Sequence, residues 1–255
     1  MPKLARDGVN IHYEVTGEGP VLLLTHGFCA SAAMWRENAP ALAAAGWKVV
    51  TWDMRGHGQS DSPEDPALYT ADLTVADIDA LLDAVGAETA VVGGMSLGGY
   101  MSLAYNLAHG ARVRSLLLID TGPGFRNDEA REKWNAYARG RGDELAAKGE
   151  AALSASAETR LQTQNYQGLR NAAYGMLTQR TADAITSLPA IAVPTLVVVG
   201  DRDEPFLAAS DYMAAKIPGA SKAVIADAGH AANVDQPAAF NAAVIGFLDK
   251  LKGSN

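Results

Sequence analysis

The chain of 255 residues is long enough to bury a full core, and its 48% hydrophobic and 20% charged residues are the balance of a soluble globular protein. A net charge of −8 argues against nucleic acid, which needs a basic surface, and excludes no small-molecule ligand. The single cysteine, Cys29, precludes an internal disulfide and fits a reducing compartment.

The N-terminal stretch has no apolar signal core and no window reaches the length of a membrane span, so a cytoplasmic protein without a membrane partner is expected. Residues 9–15 alternate apolar and polar, which predicts an antiparallel edge strand. Five later runs, 21–25, 47–52, 89–93, 113–120 and 195–200, lack that alternation and predict strands buried on both faces, as in a parallel sheet. Between them Ile78, Leu81, Leu82 and Val85 lie on one helical face, with Thr74 and Asp77 as a capping pair. From Phe125 to Ser187 no strand-like run occurs, only helix formers and scattered aromatics. A short apolar strand at Ala223–Ala226 follows, then a helix opened by Pro237 and striped by Phe240, Val244, Phe247, Leu248 and Leu251. The closing residues 250–255 predict a solvated tail. The fold class is therefore α/β: a mostly parallel sheet flanked by helices, with a core at 1–124 and 188–255 and a helical insertion at 125–187.

Chemistry concentrates at Gly93-Gly94-Met95-Ser96-Leu97-Gly98-Gly99, where a buried run turns into a helix. Gly94-Met95-Ser96-Leu97-Gly98 is G-x-S-x-G, a tight turn that exposes a serine hydroxyl at the strand's end. Gly94 and Gly98 make room for strand and helix to approach, and Gly93 and Gly99 ease helix packing. A serine nucleophile needs a base. Of five histidines, His12 and His109 are expected in solvent, His26 beside a loop and His57 in a glycine-rich turn. His230 follows a strand in the Gly229-His230 loop, at the sheet edge where α/β folds place their sites. The acid that orients it is open among Asp120, Asp201, Asp203 and Glu204.

Taken together, His26-Gly27-Phe28, Asp53-Met54-Arg55-Gly56-His57-Gly58-Gln59-Ser60, the Ser96 turn, Gly200-Asp201-Arg202-Asp203 and Gly229-His230 resemble the α/β-hydrolase fold superfamily in order and span. The resemblance implies Asp203 as the acid and the order Ser96, Asp203, His230 for the triad. It also implies an oxyanion hole from the backbone N–H groups of Phe28 and Leu97, and residues 125–187 as a helical cap. Members of the superfamily that open epoxides or remove halide carry an aspartate where this chain has Ser96. Serine suits a carbonyl, so an esterase of small-molecule acyl substrates is expected. A lactonase, a C–C bond hydrolase and a perhydrolase are enzyme alternatives, and a receptor without turnover is one of another class. Neither a metal nor a cofactor is implied by any motif, and a homo-oligomer is compatible with all of these.

Within the cap, Trp134 and Tyr137 share a helix face and are expected to wall the pocket, against a bland role in packing. Arg126, Arg131, Arg160 and Arg170 are expected in solvent, with a substrate carboxylate as the sharper alternative. Cys29 is expected as a small packing residue, since a catalytic thiol would need its own base.

Overall fold

The computed structural model describes residues 3–153 and 165–252; Arg160 and the end of the tail lie outside them. Eight strands form one sheet: β1 (Lys3–Arg6), β2 (Val9–Thr16), β3 (Val21–Thr25), β4 (Lys48–Trp52), β5 (Ala90–Met95), β6 (Val113–Ile119), β7 (Thr195–Gly200) and β8 (Ser221–Ile225). Their spatial order is β1-β2-β4-β3-β5-β6-β7-β8. Strands β4, β3, β5, β6, β7 and β8 run parallel, and β1 and β2 join antiparallel at one side.

The helices are α1 (Ala39–Ala44), α2 (Ala71–Ala84), α3 (Leu97–His109), α4 (Asp128–Lys148), α5 (Tyr166–Ala172), α6 (Asp183–Ser187), α7 (Glu204–Lys216), α8 (Ala232–Asp235) and α9 (Pro237–Lys252). No helix among the described residues is long and apolar enough to cross a membrane.

The central strands are buried on both faces, and successive residues serve opposite sides. Leu23, Val92, Leu116 and Leu118 pack with Ile78, Leu81 and Met101 on one face. Leu22, Leu24, Val91 and Leu117 pack with Phe240, Val244 and Leu248 on the other. This is why those runs show no polar alternation. Helix α9 begins at Pro237 and ends in Lys250 and Lys252, where cations favour the carbonyl end.

Three local expectations need correction. The 9–15 run is antiparallel but is not the edge, because β1 pairs outside it. With four residues, alternately exposed and half-buried, β1 carries too little apolar pattern to be seen. Helix α2 starts earlier than its apolar face suggests. Its cap is Thr70, whose hydroxyl accepts from Leu73 N–H, while Thr74 and Asp77 lie inside the helix. Asp77 is instead buried beneath Arg55, which binds it through two nitrogens at 2.7 and 2.8 Å. His12 is buried, not solvated, because the segment after β4 folds across β2: His12 N–H donates to Ser60 Oγ, and Asp53 N–H donates to the His12 carbonyl.

The segment between β6 and β7 contains α4, α5, a π-helical turn at Ala173–Leu177 and α6, with no strand among its described residues. Ala138, Ala172, Met176, Leu177 and Ala184 from it are buried in the same apolar cluster as one face of the sheet. Contact with the body is close at Gly175, where a Cβ would lie 2.1 Å from the Tyr69 carbonyl oxygen.

Candidate active site

Because the central strands are parallel, β3, β5, β6, β7 and β8 all present their carboxyl ends at one edge. The segments just beyond those ends carry Phe28, Ser96, Asp120, Asp203 and His230. The topology alone therefore gathers residues far apart in the chain, Ser96 and His230 being separated by 134 positions.

Ser96 joins β5 to α3 with φ +52° and ψ −114°, a conformation that non-glycine residues avoid. The approach of strand and helix explains the glycines around it. A Cβ at Gly98 would lie 2.2 Å from the Thr25 carbonyl oxygen, and one at Gly94 would lie 2.4 Å from the Gly98 carbonyl carbon. Gly99 faces Thr121 just past β6. Gly93 serves the sheet and not the helix, since a Cβ there would meet Leu117 Cβ on the neighbouring strand at 2.6 Å.

Ser96 Oγ lies 3.0 Å from His230 Nε2, and His230 Nδ1 lies 2.9 Å from Asp203 Oδ2. A carboxylate can only accept, so Nδ1 carries the proton and Nε2 turns its lone pair to the serine hydroxyl. Asp203 is buried, and although it precedes α7 its side chain makes no capping bond, leaving the carboxylate for the imidazole. Of the other acids, Glu204 is exposed in the first turn of α7, and two are engaged elsewhere. Asp201 accepts from Ala228 N–H at 3.2 Å, and both oxygens of Asp120 accept backbone N–H groups.

The remaining histidines do not reach the serine. His26 Nδ1 donates to the Gly27 carbonyl at 2.7 Å while Nε2 accepts from Met54 N–H at 3.0 Å. Burial lowers its pKa to about 4, so the ring is neutral near pH 7. His57 lies against it with centroids 5.0 Å apart, and burial, reinforced by the His26 ring, lowers its pKa to about 3. His109 stacks on Tyr105 at 4.9 Å.

Two neighbours of these three side chains carry no sequence motif. Phe206, in the first turn of α7, stacks on the His230 ring with centroids 4.7 Å apart and planes 22° apart. Thr121 donates its hydroxyl to the Ser96 carbonyl at 2.6 Å. Leu97 opens α3, and the first N–H groups of a helix have no acceptor within it. Phe28 follows the Gly27 carbonyl that His26 binds, and Cys29 beyond it is buried with φ +64°.

In the helical segment Trp134 donates its indole N–H to the Leu177 carbonyl at 2.8 Å. Its ring lies 6.0 Å from Phe125 and 5.5 Å from Tyr137, which is 57% exposed. Among the described arginines there, Arg170 pairs with Asp143 and lies over Tyr174, Arg131 pairs with Asp128, and Arg126 donates to the Tyr212 hydroxyl.

Residues 20–171 match the model of a family described as the alpha/beta hydrolase fold. The chain is 28% identical to 3-oxoadipate enol-lactonase 1 of Acinetobacter baylyi, an alignment covering 97% of this chain and 96% of that protein. It is 39% identical to an epoxide hydrolase of Caballeronia sordidicola over 95 residues, which are 37% of this chain and 29% of that protein. The solved structure of a thermophilic esterase from Thermogutta terrifontis superposes with a TM-score of 0.85 at 26% identity, covering 98% of this chain and 99% of that one.

Proposed function

The chain belongs to the α/β-hydrolase fold family, and on that premise we propose that it is a serine hydrolase of carboxylic esters. The observation that carries this reading is the unbroken hydrogen-bond chain Ser96–His230–Asp203 at 3.0 and 2.9 Å. His230 Nε2 takes the hydroxyl proton as Ser96 Oγ attacks the substrate carbonyl carbon. The resulting oxyanion is held by the N–H groups of Phe28 and Leu97, where each donor contributes on the order of 10²–10³ in rate. Collapse of the intermediate passes the proton from His230 to the departing alkoxide and leaves an acyl group on Ser96. Water, deprotonated by His230, then releases the acid. Asp203 holds the imidazole tautomer and stabilises the imidazolium.

A lactone is an ester whose alkoxide stays tethered to the acyl group, so the same steps open it. Likeness to an enol-lactonase along nearly the whole chain favours this second reading. Epoxide opening is disfavoured, because that similarity spans only 95 residues and the turn carries a hydroxyl where attack on saturated carbon requires a carboxylate. Steady-state release from p-nitrophenyl acetate, a lactone panel and a vinylogous diketone separates these readings. Sustained ester turnover with fluorophosphonate labelling of Ser96 is expected. Labelling without turnover on any substrate would leave a receptor.

Residues 125–187 form the proposed cap. They follow β6, whose carboxyl end lies at the edge that carries Ser96, and Phe125, Trp134 and Tyr137 form a partly exposed aromatic row within them. Exposed aromatics in contact with one another are a common mark of a binding surface. With Trp134 and Tyr137 in the pocket wall, Trp134→Ala is expected to change the ratio of kcat/KM for short and long acyl esters. A small phosphonate should still label Ser96 in that variant. An unchanged chain-length profile would assign the indole to packing, the role its bond to Leu177 already provides.

A further inference from the structure

The turn after β6 touches all three triad-bearing loops. Ile119 accepts from Ser96 N–H at 2.9 Å, and Thr121 donates back to the Ser96 carbonyl. Between them Asp120 is fully buried with φ +43°, a left-handed conformation that Asp, Asn and Gly tolerate best. Its Oδ1 accepts from Gly200 N–H at 2.8 Å and its Oδ2 from Ala232 N–H at 2.9 Å. Gly200 stands three residues before Asp203, and Ala232 two residues after His230.

We infer that Asp120 is a positioning residue that clamps the Asp203 loop to the His230 loop, and so sets the His230–Asp203 hydrogen bond; this rests on the triad reading above. The two loops follow separate strands, and a slip between them would lengthen a contact that catalysis needs within a few tenths of an ångström. One rigid carboxylate with an oxygen on each loop opposes that slip. Capping α8 alone would not account for the arrangement, since a cap uses one oxygen and is at home in solvent. Here a carboxyl group is buried close to a second one, Asp203. Burial and that neighbour push its pKa up to about 7, while the two N–H bonds and His230 act in the opposite direction.

Asp120→Asn keeps the left-handed backbone and the shape, but turns an amide N–H toward one of the two N–H groups. The expected result is a fall in kcat of about ten- to hundredfold with KM nearly unchanged. The low-field proton resonance of His230 Nδ1–H should shift or broaden in the same variant. Asp201→Asn alters only a single, longer contact of 3.2 Å to Ala228 N–H, which an amide oxygen can still accept, so it should leave both within a few-fold. Where Asp120→Asn does not fold, Asp120→Gly is read the same way, and failure of both to fold would make the carboxylate a folding requirement and overturn the clamp. Unchanged kcat and resonance would overturn it too, as would a loss as large as that of Asp203→Asn, which would make Asp120 the triad acid. Failure of Ser96 in the unaltered protein to react with a fluorophosphonate would instead refute the triad reading.

Discussion

Ser96→Ala and His230→Ala are each expected to lower kcat by a factor on the order of 10⁶, and the double variant to lose little more. The non-additivity follows from the geometry. With Ser96 Oγ 3.0 Å from His230 Nε2, the hydroxyl is a nucleophile only while the imidazole takes its proton. Removing either group therefore abolishes the same step. What remains is binding and the oxyanion donors proposed at Phe28 and Leu97, which neither substitution touches. Both variants should fold: Ser96 and His230 are only partly buried, and alanine keeps the Cβ that the turn already accommodates. The measurement is kcat on p-nitrophenyl acetate beside thermal melting by circular dichroism. A Ser96→Ala protein that keeps more than a few per cent of activity would refute Ser96 as the nucleophile.

The parts of this architecture legible in the sequence are those written in local pattern. Runs such as Val21–Thr25 and Thr195–Gly200 announce burial on both faces because they lack the alternating polar residues that a solvated face would carry. The Ser96 turn is legible because close approach of α3 to β3 and β5 admits only glycine at 94 and 98. What escapes is decided between distant segments. The burial of His12 depends on a turn some 48 residues away folding over β2, and nothing near His12 records that. Helix α2 begins one turn before its apolar face does, since Thr70 caps it while the face starts later. Phe206 resembles any apolar residue in a helix's first turn, and only the fold brings its ring onto His230. Asp120 is visible as an acid at a strand end, but its two backbone partners lie 80 and 112 residues away.

The choice of acid has the next largest consequence. Asp203→Asn is expected to lower kcat by about 10⁴, far more than Asp201→Asn and well beyond the loss expected at Asp120. An asparagine at 203 fits the same space, so the cause is chemical and not steric. Its amide would donate to His230 Nδ1, which obliges the ring to carry its proton on Nε2. That nitrogen then points an N–H at Ser96 Oγ and cannot accept the hydroxyl proton. The buried site also loses the charge that stabilises the imidazolium as it forms. Asp201 has no such hold on the ring, because its contact is a 3.2 Å bond to the backbone of Ala228. The test is kcat/KM for the three asparagine variants on one ester across pH 5 to 9. Comparable losses at Asp201 and Asp203 would refute the assignment, whereas a deficit far larger at Asp203 than at either other position, and rescued by Asp203→Glu, would tie it to a carboxylate on the imidazole.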